Sequence, residues 1–144
     1  MGNGQSCFFI GHREAPESLR PALVAAVRRC VDEGVTEFIV GHYGRFDALA
    51  SSVVKELRKQ YSDVRLVLLI PYHPTERPVE LSTGFDASFY PPGMEMVPRS
   101  LAIKEADRRT IREVNRVIAY VRHPGNARDL AEYAEKRGAR IDYI

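Results

Sequence analysis

The chain has 144 residues and a formal charge of +2, from 21 basic and 19 acidic side chains. One domain of that length buries a core without disulfide or metal staples. A charge so near zero speaks against the wide cationic face that nucleic acid needs, so nucleic acid is the less expected partner.

In chain order, the first six residues read as a flexible polar leader. They also match the short pattern for N-terminal lipidation. No signal peptide precedes the first strand, and no apolar run approaches membrane-spanning length. Cys7 and Cys30 sit in apolar segments outside any Cys-x-x-Cys or Cys/His cluster, as small core residues in a reducing, cytoplasmic setting.

Apolar runs at residues 7–10, 36–40, 65–70 and 117–121, with a weaker one at 140–144, have the length and continuity of strands buried on both faces. Between them the apolar period changes to that of helices. Leu19, Leu23, Ala26, Val27, Cys30 and Val31 form the first stripe. Phe46, Leu49, Ala50, Val53, Val54, Leu57 and Tyr61 form the second. A third, heavily charged helix is expected at about 99–114, with Ile103, Ala106, Thr110 and Val114 facing the sheet. A fourth is expected at about 127–137. Gly34 and Gly138 stand where helix C-caps belong. Strand and helix alternating in this way predict one doubly wound, Rossmann-like α/β domain, with about five mostly parallel strands and helices on both faces.

Residues 72–98 break the rhythm. Prolines 74, 78, 91, 92 and 98 forbid a long helix there, and Tyr72, Phe85, Phe89 and Tyr90 favour packing over disorder. The segment reads either as a lid or pocket wall, or as a packed loop with a short strand at 88–90.

Ligands of open parallel sheets bind beyond the carboxyl ends of the strands. Gly11-His12-Arg13, Gly41-His42-Tyr43-Gly44-Arg45-Phe46-Asp47, Pro71-Tyr72-His73-Pro74 and Arg122-His123-Pro124-Gly125-Asn126-Ala127-Arg128 follow the first four strands. All four histidines fall in these places. Gly41 and Gly44 let backbone approach an anion where a helix begins, and free N–H groups and the helix dipole favour a phosphate there. The same glycines also serve a plain strand-to-helix turn. Pro124-Gly125-Asn126 offers a second such turn, with Gly125 or Asn126 as its cap.

Each helix start contributes roughly 0.3–2 kcal/mol to anion binding. Each charge-assisted arginine bond nets about 1.5–3 kcal/mol. Two of each total roughly 4–10 kcal/mol, in the millimolar to micromolar range. Asp47 caps the helix dipole, contacts a ribose hydroxyl or acts as a general base, and is the one catalytic candidate. No paired carboxylate and no Ser-His-Asp order is evident. The histidines lack metal-ligand spacing, so no metal is expected. Neither G-x-G-x-x-G nor a P-loop is present, so neither a nicotinamide nor a P-loop cofactor site is supported.

Residues 7–13 (Cys-Phe-Phe-Ile-Gly-His-Arg) and 38–47 (Phe-Ile-Val-Gly-His-Tyr-Gly-Arg-Phe-Asp) resemble the short, stand-alone YpsA-like branch of the SLOG superfamily. So do residues 90–94, Ile118-Ala119-Tyr120-Val121, His123-Pro124 and Asn126-Ala127-Arg128. That superfamily joins the DNA-processing protein DprA with the LOG-type phosphoribohydrolases.

The resemblance implies a Rossmann-like fold with a nucleotide-related ligand between the second and fourth strand ends. LOG-type enzymes carry an Arg-Lys pair before the fourth strand, and Arg108 resembles its arginine. They then carry a Pro-Gly-Gly-x-Gly-Thr-x-x-Glu loop with a catalytic glutamate. Here the loop reads Pro124-Gly125-Asn126-Ala127-Arg128-Asp129, without the second glycine, the threonine or the glutamate.

The implied function is binding of a nucleotide or a derivative such as ADP-ribose, with phosphate or sulfate as simpler occupants. Gly11, Gly41, Gly44, Gly125 and Asn126 would supply backbone contacts, and Arg13, Arg45, Arg108 and Arg128 would meet phosphate. His12, His42, Tyr43, Tyr72 and Pro124 would line the remainder. The alternatives are hydrolysis of a nucleoside monophosphate and DprA-like binding of single-stranded DNA. The helical faces would support a homodimer.

Overall fold

The computed structural model describes residues 5–73 and 84–144. Most of the expected leader and residues 74–83 of the proline-rich connection lie outside the described residues. Among the described residues ten strands and α-helices follow one another. They are β1 (Gln5–Gly11), α1 (Arg20–Asp32), β2 (Val35–Val40), α2 (Arg45–Leu57), β3 (Arg65–Leu69), β4 (Ala87–Phe89), α3 (Ala102–Glu113), β5 (Arg116–Tyr120), α4 (Asn126–Lys136) and β6 (Arg140–Tyr143).

All six strands pair in parallel, in the order β4-β3-β2-β1-β5-β6. The chain therefore walks outward from β1 to β4, returns across the sheet, and resumes at β5 on the other side of β1. That reversal places the switch in strand order between β1 and β5, where α/β sheets open a crevice.

The period of two along each strand sends alternate side chains to opposite layers. Cys7, Phe9, Phe38, Val40, Leu66, Ile118 and Tyr120 face α1 and α2. Phe8, Ile10, Ile39, Val67, Leu69, Val117 and Ala119 face α3, α4 and the segment around Met94. Phe38 and Phe46 are fully buried. Each such side chain contributes roughly 1.5–3 kcal/mol through burial.

The expected strands are all present, and the sheet gains β4, which lies at the predicted short strand in the proline-rich connection. The third helix begins later than expected. Residues Arg99–Leu101 form a 3-10 turn that leads into it. Gly34 and Gly138, at φ 103° and 84°, follow α1 and α4 in the left-handed region that favours glycine. The described part of the connection is built into the fold. β4 pairs with β3, Met94 is buried, and the Arg109 guanidinium donates to the Pro92 carbonyl at 2.5 Å. Among the described residues no helix is long and apolar enough to cross a membrane.

Candidate functional site: a crevice at the strand ends

The carboxyl ends of β1, β2 and β3 open into a cavity of about 130 Å³, closed laterally by α3 and by the start of α4. Ligand pockets generally measure roughly 300–1,000 Å³. The enclosed part therefore takes one piece of a ligand, and the rest lies in the open mouth. Gly11, His12, Arg13, Gly41, Tyr43, Gly44, Asp47 and Asn126 all line it, so eight of the sequence-derived residues meet in one place. His42, Arg45, Tyr72, Arg108, Pro124, Gly125 and Arg128 lie outside its walls.

The turn from β2 into α2 is tied to the loop after β1. The Arg45 N–H donates to the Arg13 carbonyl at 2.7 Å. A Cβ on Gly44 would stand 2.7 Å from the Arg13 Cα, so a side chain there would push the two loops apart. The backbone of Gly44 is extended, at φ 178°. Close approach, rather than a special dihedral angle, is what requires glycine. Gly11 also answers to packing, because a Cβ there would overlap the Phe46 ring.

Gly41 makes room for a carboxylate. Its missing Cβ would lie 2.9 Å from Asp47 Oδ2, and that oxygen accepts the Tyr43 N–H at 3.1 Å. The place at the start of α2 where a phosphate was expected thus holds the chain's own anion. The start of α4 differs. Gly125 caps it with no side-chain hydrogen bond, and Asn126 and Ala127 line the cavity.

Asp47 is joined in the cavity wall by a second carboxylate, Asp107 of α3. Both residues are half-buried, and protein hems in their carboxyl groups except toward the cavity. Burial pushes Asp47 up to about 6, although the Tyr43 N–H pulls the other way. Burial, and then the charge of Asp47, push Asp107 up to about 7. The expectation that no paired carboxylate exists does not hold.

Sequence reasoning missed Asp107, although a signal was present. It stands four residues after Ile103 and three before Thr110, on the stripe assigned to the sheet. A carboxylate on an apolar stripe marks either a buried partner or a pocket. Arg108, picked out by resemblance, points elsewhere, with its guanidinium 5.5 Å from the Tyr133 ring. Tyr72 packs against the core below, 5.8 Å from the Arg99 guanidinium.

A second groove adjoins the mouth and carries aromatic rings and cations. The His12 and His123 rings stack at 3.8 Å, 10° from parallel. His12 Nε2 accepts the Arg122 N–H at 2.8 Å. Burial and then the charges of His123, Arg122 and Arg128 hold His12 below its ordinary value. Arg45 and Arg122 line this groove, with Glu14 and Glu17 opposing them. His42 instead leans on Tyr43 at 4.3 Å, and burial lowers its value too. His73 meets Tyr90 edge to face at 5.6 Å. The four histidines therefore divide among three places, and no described group of three or more His, Cys, Asp and Glu side chains is arranged to hold a metal ion.

No protein-family model matches the chain, and no curated protein does. Among solved structures, the chain is similar to DNA processing protein A from Helicobacter pylori, which was solved to explain its single-stranded DNA binding mode. The two superpose with a TM-score of 0.64 at 16% sequence identity, over 96% of this chain and 64% of that one. The chain thus spans under two thirds of that protein's length. The expectation that nucleic acid is an improbable partner needs correction, because a protein of the same fold binds single-stranded DNA. Net charge averages over the whole surface, whereas Arg13, Arg45, Arg122 and Arg128 all follow strand ends at the carboxyl end of the sheet. What the likeness establishes is the fold: a Rossmann-like α/β domain.

Proposed function

We propose that the chain is a SLOG-type domain whose crevice binds a phosphate-bearing nucleotide or nucleotide derivative. The observation that carries this reading is the convergence of Gly11–Arg13, Gly41–Asp47 and the start of α4 on one cavity. The phosphate belongs at the start of α4, where no side chain caps the helix and the dipole favours an anion. Arg13 lines the same cavity, and Arg128 lies close enough to bear on His12. Calorimetry against AMP, ADP-ribose and NAD tests the assignment. Binding in the micromolar to millimolar range is expected, weakened about tenfold in Arg13→Ala by loss of a charge-assisted bond. Absence of binding to all three at millimolar concentration would sink it.

A second reading rests on the His12–His123 stack between Arg45 and Arg122. Aromatic faces flanked by cations suit the bases and phosphates of a single strand. It predicts that a fluorescent deoxythymidine oligonucleotide binds with a steep salt dependence, and that His123→Ala weakens it. Binding independent of salt would remove this reading and leave the first in place.

A further inference from the structure

We propose that the floor of the crevice, between Asp47 and Asp107, takes the vicinal diol of a ribose and so selects ribonucleotides over deoxyribonucleotides. The inference rests on the nucleotide reading of the same crevice and fixes which way round the ligand lies.

The floor is short of hydrogen-bond donors. Asp47 Oδ2 receives the Tyr43 N–H. Among the described residues Asp107 receives no donor and has no cation beside it, and protein hems in its carboxyl group except toward the crevice. The arginines that follow it on α3 are engaged elsewhere. Arg108 lies over Tyr133, while Arg109 pairs with Glu105 at 2.8 Å and donates to the Pro92 carbonyl. An acceptor that can be reached only through the crevice favours a ligand that brings a donor there.

A phosphate cannot be that ligand, because it has the same sign of charge as the floor. Phosphate belongs at the mouth, and the part of the ligand that enters must donate. Two neighbouring carboxyl groups in low dielectric do not both ionise readily, so they hold about one proton between them near neutrality. Such a pair accepts from one hydroxyl and both donates to and accepts from another. Two adjacent sugar hydroxyls present the matching set.

The missing Cβ of Gly41 gives the pair its room. A side chain there would press on Asp47 Oδ2. Asn126 and Ala127 at the start of α4 and Asp107 of α3 line the same cavity, so a phosphate at its mouth and a sugar at its floor are neighbours.

Calorimetry with AMP, 2′-deoxy-AMP and 2′,3′-dideoxy-AMP, and with ribose 5-phosphate against 2-deoxyribose 5-phosphate, tests this on the full chain. The expected order is AMP tightest and dideoxy-AMP weakest, with about tenfold or more between the extremes. In Asp107→Ala the ratio of AMP to dideoxy-AMP affinity falls toward one, and Asp107→Asn gives an intermediate ratio. Equal binding of the three nucleotides would overturn the diol assignment and leave the nucleotide reading intact. Ribose 5-phosphate binding with the diol preference, when no nucleotide binds, would overturn the nucleobase and keep the diol. Failure of nucleotides and sugar phosphates alike would overturn both.

Discussion

The two ends of the sheet bury charge in opposite ways. At the amino end, the Arg116 guanidinium, with a side chain 4% exposed, donates to Glu33 at 2.6 Å and to Asp142 at 3.0 Å. Arg29 reinforces Asp142, and Arg140 reinforces Glu33. At the carboxyl end, Asp47 and Asp107 share a cavity wall with no cation between them among the described residues. A cation held by two carboxylates closes an end of the sheet. Two like carboxylates facing a cavity keep an end open and destabilise the fold unless something enters. The contrast assigns architecture to the first end and ligand work to the second.

The largest test is removal of the cation at the closed end. Arg116→Ala leaves Asp142 and Glu33 without their shared partner, and urea denaturation is expected to show a loss of about 3–5 kcal/mol. A loss below roughly 1 kcal/mol would mean that water replaces the guanidinium and that the closed end is not closed.

Next in size is Gly44→Ala. Its new methyl group presses on the Arg13 backbone, at an expected cost of about 1–3 kcal/mol. Ligand affinity should fall with stability, since the loops being separated carry Arg13 and Tyr43.

Asp107→Asn should move in the opposite direction, by about 1–3 kcal/mol after allowing for water in the crevice. In the unfolded chain an aspartate ionises near ~3.9. In the folded protein Asp107 keeps its proton to about 7. Between those values the folded state binds the extra proton, so the carboxylate makes stability fall as pH rises. The variant should therefore melt above the wild type at pH 8 and together with it at pH 4. A wild type that gains stability from pH 4 to 8 relative to Asp107→Asn would reverse the assignment.

The smallest effect is expected from Arg108→Ala. Its side chain lies on the solvent side of α3, so stability should change by about 0.5 kcal/mol or less and nucleotide affinity not at all. A large loss of affinity would return this arginine to the site.

The layers of the fold were legible because their signals are local. The runs from Cys7, Thr36, Arg65 and Val117 read as buried strands, and the stripes of α1 and α2 read as helices. The turn at Gly41–Gly44 was legible as a turn, but its content was not. That Asp47 fills it, and that Gly11 yields to Phe46, depend on contacts between segments distant in sequence. Asp107 was hidden for a related reason. Only the arrival of α3 beside the ends of β1 and β2 brings a second carboxylate to Asp47. Charge was misleading in one respect, because an evenly balanced chain still gathers arginines around its strand ends.

The bond from the Arg122 amide to His12 settles the protonation of that ring. An amide can only donate, so Nε2 is bare and the proton sits on Nδ1. The loops after β1 and β5 are therefore clasped through a lone pair that a second proton would occupy. Below the depressed titration point of His12 the clasp is lost, because the added proton takes the lone pair that accepts the Arg122 N–H. Acid therefore weakens the tie between the two loops at the rim of the crevice.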